Sequence, residues 1–173
     1  MADTAVTVDE AGAVDEAGTA DGAREVLGWK LVVDCADPHR QADFWGAALG
    51  YEVEDHGVLI ERLLGSGAIG EDFLMEHHGR RVWRHAAAAR HPQDPVEESS
   101  GTGLGRRLLF LRVPEPKEGK NRLHIDVHAG PGRRTETVAR LTELGAAVIR
   151  RVKEPGGEWT VMADPEGNEF CVA

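Results

Sequence analysis

The sequence has no apolar run of about 18 residues and no positively charged start leading into an apolar stretch, so nothing suggests a helical membrane span or a secretory signal, and a cytoplasmic protein is expected. Cysteine is scarce: the 2 present, Cys35 and Cys171, sit inside apolar strand-like runs without metal-finger spacing. Free buried thiols are therefore expected rather than a disulfide. Positive charge is short as well, with 20 Lys and Arg against 30 Asp and Glu and a formal net charge of -10. That balance excludes a general nucleic-acid or anionic-membrane surface, each of which needs a positive field. A Ser nucleophile elbow and a CxxC pair are missing. Gly101 to Gly105 lacks the Lys-Ser/Thr and the helix that a phosphate cradle requires.

What is present is 173 residues with 41% hydrophobic content, enough for one domain or two small fused modules with a real core. The chain is organised around Lys120 to Ala129, KNRLHIDVHA. Leu123, Ile125 and Val127 alternate with Arg122, His124, Asp126 and His128, the period of a strand with one apolar and one ionisable face. Leu31, Val33 and Cys35 against Lys30, Val32 and Asp34 repeat the pattern. Placing Asp34 on Asp126 brings Leu49-Gly50 near Leu144-Gly145, so each half begins strand, helix, strand. Asp37-Pro38 starts the first helix and Gly50 closes it. The second half ends on the hairpin signal Asp164-Pro165-Glu166-Gly167 between Trp159–Ala163 and Glu169–Val172, which makes the unit βαβββ.

By the same logic the first half ends with Val82 to Arg90 and Arg107 to Val113 as its hairpin, Trp83 matching Trp159, although Ala86 to Ala89 favours a helix. The connection from Pro92 to Gly105 reads as long and mobile. His56 to Gly67 reads as an inserted helix. The division is a disordered acidic tail over 1–27 in which VDEAG occurs twice, a first module over 28–113, a Pro-rich linker over 114–121 and a second module over 122–173.

DPHRQADFWGAALGYEV in one half, KNRLHIDV in the other and ADPEGNEF at the end resemble the vicinal oxygen chelate superfamily, in its glyoxalase-like, actinobacterial branch. The resemblance implies an α+β fold in which two tandem βαβββ modules form a cupped mixed β-sheet, as in the glyoxalase, bleomycin-resistance and dioxygenase proteins. It also implies a cavity whose floor often binds a divalent metal through first and last strands of each module. At those positions the match puts Lys30, Leu111, Arg122 and Cys171, with His124 replacing Arg122 if the register slips by two. Lys, Arg and Leu are not useful ligands, so no metal cofactor is expected.

Several groups are candidates for chemistry. His124 is the candidate catalytic proton carrier, with Asp126 as a charge partner unless Asp126 and Asp34 instead pair with Arg122 or Lys30. Strand rise separates His124 and Asp126 by about 7 Å, too far for a tight dyad. Lys30, Arg112, Lys120 and Arg122 form a positive pocket for a carboxylate or a set of internal ion pairs. The basic run His77, His78, Arg80, Arg81, Arg84, His85, Arg90 and His91 around Trp83 is either an anion-steering surface or a solvated loop. The ligand-binding set is thus Lys30, Asp34, Trp83, His85, Leu111, Arg122, Asp126 and Cys171.

Two functions follow. One is a metal-independent enzyme acting on a small carbonyl or aromatic metabolite between the modules. The other is a drug-resistance-type protein that sequesters such a molecule unchanged. A divalent-metal-dependent lyase, isomerase or dioxygenase is the third class the resemblance implies. The partner is a small molecule, with no nucleic acid and no membrane. Homodimerisation fits the superfamily, though a chain holding both modules does not require it.

Overall fold

The computed structural model describes residues 28–173, so the expected acidic tail lies outside the described residues. β1 (Leu31–Cys35) sends Leu31, Val33 and Cys35 into the core and leaves Val32 and Asp34 exposed, as the alternation requires. The Asp37 carboxylate accepts from the Arg40 backbone N–H, Pro38 fills the first turn of α1 (Pro38–Leu49), and Gly50 ends it at φ 69. The first half continues with β2 (Glu52–Val53), α2 (Gly57–Gly65), the hairpin β3 (Leu74–His77) and β4 (Arg80–Trp83), β5 (Ala86–Arg90), the hairpin β6 (Val96–Glu97) and β7 (Thr102–Gly103), and β8 (Arg107–Arg112). The second half is β9 (Asp126–Val127), α3 (Arg134–Glu143), β10 (Ala147–Glu154), β11 (Gly157–Ala163) and β12 (Glu169–Val172).

The duplication is visible in the pairing. One sheet runs β1-β8-β5-β2 and the other β9-β12-β11-β10, so in each the first strand lies parallel to the last. Asp34 pairs with Leu111 and Asp126 with Cys171, which sets the two halves in the same register. Phe110 and Phe170 occupy equivalent places and both are fully buried. One apolar core serves both halves, with the Trp45 and Phe170 ring centroids 5.1 Å apart and Val138, Leu141 and Met162 packed in the same cluster. Polar bonds tie the halves together as well. The Glu166 carboxylate accepts the backbone N–H groups of Ala36 and Asp37 at 2.7 Å, and Arg140 donates to the carbonyls of Ala47 and Ala48 at 2.9 Å.

Several expectations are corrected. The strand expected over Arg122 to His128 is formed only at Asp126–Val127, and Leu123 is 80% exposed. β8 has 6 residues where β12 has 4, so the stretch before Ile125 lacks a neighbour with which to pair. The single strand expected from Val82 to Arg90 is two elements. Arg84 donates its backbone N–H to the Phe73 carbonyl and its guanidinium to the carbonyls of Asp72 and Leu74, which draws Trp83 into the β3–β4 hairpin. Trp83 therefore does not match Trp159. Ala86–Arg90 is a strand despite its alanines, because β8 pairs along all of it. The connection expected to be mobile is instead folded as β6 and β7.

Candidate functional site

The junction of the halves forms a half-open cavity of about 270 Å³. Val32 and Asp34 of β1 line one side, Leu123 and His124 the other, and Phe170 and Glu169 lie at the end of β12. His124 Nε2 lies 3.4 Å from Asp126 Oδ1. The separation argued from strand rise does not apply, because residues 122–125 leave the regular strand and the imidazole bends back. Asp126 pairs with Cys171 across the parallel strands, and donor atoms of His124, Asp126 and Cys171 lie within 4.8 Å of one another. Burial and the neighbouring Asp126 carboxylate push the Cys171 thiol up, which disfavours the thiolate that a nucleophile needs.

The expected residues divide by place. Asp34, His124, Asp126, Leu111 and Cys171 belong to the first or last strands of their halves, or immediately before them, in the shared register. Lys30 and Arg122 are exposed and line no part of the cavity between the halves. Neither forms an ion pair among the described residues, so the expected bridges to Asp34 and Asp126 are absent there. His85 is exposed, and its carbonyl accepts the Arg112 backbone N–H. Trp83 lies in a different cavity, beside the β3–β4 hairpin.

The basic run is not a positive surface. Arg80 pairs with Asp55 at 2.7 Å, Arg81 lies 3.5 Å from Glu61 and Glu71, and Arg90 pairs with Glu52. Sequence reasoning missed a buried charge, Glu54. Glu54 accepts from Arg107 through Nε at 2.6 Å and Nη2 at 2.7 Å, from the Gly103 backbone N–H at 2.8 Å, and lies 3.2 Å from His56 Nε2. Burial alone would raise the Glu54 carboxyl, yet bonds from Arg107, His56 and Gly103 bring it down to about 2. Glu54 gave no signal because two of its three partners, Gly103 and Arg107, lie about 50 residues away in sequence.

The superfamily's metal set draws donors from both halves, and this chain does not fit it. Leu111 offers no donor and Lys30 is a cation, so the two first-half positions of that set hold no ligand. The donors that do converge, an imidazole, a carboxylate and a thiol, all belong to the second half.

No curated protein matches the chain in sequence. Residues 30–173 match the family model described as glyoxalase-like domain. Among solved structures, the fosfomycin resistance protein FosX from Mesorhizobium loti is similar at TM-score 0.53 and 10% identity, over 87% of this chain and 91% of that one. A glyoxalase/bleomycin resistance protein/dioxygenase family enzyme from Burkholderia phytofirmans PsJN is similar at TM-score 0.51 and 12% identity, over 83% and 94%. FosX from Listeria monocytogenes, solved with Mn(II) and 1S,2S-dihydroxypropylphosphonic acid, is similar at TM-score 0.51 and 10% identity, over 86% and 90%. At these identities the likeness is one of fold.

Proposed function

The chain belongs to the glyoxalase-like domain family, and we propose that it takes a small carbonyl or aromatic metabolite into the cavity between its halves and exchanges a proton with it through His124. The observation that carries this reading is the place of His124, on the wall of that cavity with its Nε2 3.4 Å from Asp126 Oδ1. Imidazole is the side chain that both gives and takes a proton near neutral pH, and an adjacent carboxylate steadies its charged form. Val32, Leu123 and Phe170 supply apolar contact, and Asp34 supplies a polar group on the facing wall. Lys30 and Arg122 take no part in this account, since both stand outside the cavity. No step is assigned to a metal.

The test is incubation of the purified protein with a small-molecule extract of its host, followed by mass spectrometry. One component is expected to bind and be consumed, and His124→Gln is expected to bind it without consuming it. Recovery of the bound component unchanged from the wild type would overturn the catalytic part and leave a sequestering protein of the drug-resistance type. The convergence of His124, Asp126 and Cys171 within 4.8 Å favours a second reading, a divalent-metal-dependent enzyme. A stoichiometric divalent ion lost on Cys171→Ala would support that reading over the first.

A further inference from the structure

We propose that Asp43, His77 and His78 form a binding site for a borderline divalent cation such as Zn²⁺, on the first half and apart from the junction cavity. The two histidines come from an insertion that the second half lacks. Between β2 and β5 the first half carries α2 and the β3–β4 hairpin, whereas the second half crosses from β10 to β11 through Pro155 and Gly156. His77 ends β3 and His78 opens the turn to β4, while Asp43 reaches them from α1. His77 Nε2 and His78 Nε2 each lie 2.9 Å from the same oxygen, Asp43 Oδ2. Donor atoms of the three residues all lie within 4.8 Å of one another.

Stability does not account for this arrangement. His78 has φ 48 and Gly79 φ 72, the two left-handed residues of a tight hairpin turn in which Asn-Gly is the usual pair. Among the described residues His78 is the one non-glycine with positive φ. Histidine is among the non-glycine residues that tolerate this region, but the turn does not require it, and with 67% of its side chain exposed the pairing with Asp43 adds little stability. Two imidazoles aimed at one carboxylate oxygen do suit a cation held among two nitrogens and an oxygen. That donor set selects Zn²⁺, Co²⁺ or Ni²⁺ over the oxygen-seeking Ca²⁺ and Mg²⁺.

The surroundings agree. Arg80 is engaged by Asp55 at 2.7 Å and does not neutralise Asp43. His39 is buried, with its ring centroid 4.8 Å from that of His77 and its Nε2 2.7 Å from the Trp83 carbonyl, which fixes the ring against which His77 packs. All three donors line a cavity of about 220 Å³ together with Val53, Ile60 and Trp83. Three protein donors leave coordination positions open toward that space, the pattern of a cation that also takes a small ligand.

Equilibrium dialysis of the full chain against Zn²⁺ tests the proposal. The wild type is expected to retain one equivalent more than the double variant His77→Gln, His78→Asn, and each single change is expected to weaken that equivalent by more than about 100-fold, beyond the loss of an outer partner. Asn tolerates the left-handed turn, so His78→Asn keeps the hairpin, and an unchanged thermal transition confirms it. The double variant His124→Ala, Cys171→Ser is expected to keep the equivalent, and Co²⁺ bound there is expected to show no thiolate charge-transfer band. Equal Zn²⁺ retention by the wild type and the hairpin double variant would overturn the proposal, as would loss of the equivalent in the Cys171 variant. The first failure leaves the reading of the junction cavity untouched, because no residue is shared, whereas the second would move the ion to the junction cavity and favour its metal-dependent reading.

Discussion

The two halves share a topology and a register but secure their sheets by different means. The first half ends its sheet in a buried charge network, Glu54 with Arg107 and His56, that joins the chain after β2 to β7 and β8. The second half has no counterpart among the described residues. Its outer strand β10 is exposed along nearly all its length, carries Arg150, Arg151 and Lys153, and is irregular in register between Val148 and Arg150. Cationic side chains and a bulge keep an open edge from recruiting another strand. Its ion pairs, Lys153 and Arg134 on Glu158, are on the surface. A module that accepts an insertion must tie it down, and a module that makes only a tight hairpin need not.

The largest effect expected from breaking this contrast is on the first half. The Glu54 side chain is fully buried and that of Arg107 10% exposed, so Arg107→Met strands a buried carboxylate. A loss of about 3 to 5 kcal/mol is expected in urea unfolding. The wild type should also lose stability as pH falls. The Glu54 carboxyl is held at about 2 in the folded state against 4.5 as its ordinary value, so its contribution is present above 4.5 and disappears down to about 2. His56 runs the other way. Its bond to Glu54 raises it above its ordinary 6.5, so its share is present below 6.5 and is lost as pH rises through the raised value. Replacing both partners, Glu54→Leu with Arg107→Met, should flatten the acid limb, and an acid limb unchanged in that variant would show that the network is not its source.

A smaller loss is expected where the second half reaches into the first. The Asp164 carboxylate is buried, accepts the backbone N–H groups of Glu166 and Asn168 at 2.9 Å, and receives the Trp45 indole N–H at 3.2 Å. Asp164→Ala leaves those donors unpaired and loosens the turn that carries Glu166 to the start of α1, for a cost of about 2 to 3 kcal/mol. Asp164→Asn keeps an acceptor and should recover part of it. Full stability of the alanine variant would mean that the apolar core alone joins the halves.

Much of the fold was legible because the duplicated signals are local. Asp37-Pro38 and Gly50 mark α1, the Asp164–Gly167 turn marks the last hairpin, and the alternation in β1 gives its buried face. Ala86–Arg90 follows the repeat rather than its helical propensity, since pairing with β8 outweighs a few tenths of a kcal/mol per alanine. What the repeat could not show is what only one half possesses. The β3–β4 hairpin and the partners of Glu54 have no second copy to compare with. The site was legible in part. The register that sets Leu111 and Cys171 in equivalent places follows from aligning Asp34 with Asp126, whereas the exposure of Lys30 and Arg122 depends on how far β1 and β9 extend. Those lengths are set by β8 and β12, far along the chain.

The smallest expected effect on stability falls on Leu123. Its first-half counterpart, Leu31, is paired with Leu108 and packs on the core, while Leu123 is 80% exposed and borders the cavity between the halves. An exposed leucine gains little from folding, so Leu123→Ser should change unfolding free energy by no more than about 0.5 kcal/mol, whereas Leu31→Ser should cost several times that. If Leu123 instead serves the ligand, Leu123→Ser should weaken retention of the host metabolite while the melting curve stays where it is. Unchanged retention would place the ligand against the β1 wall alone, and a large drop in stability would mean that Leu123 belongs to the core after all.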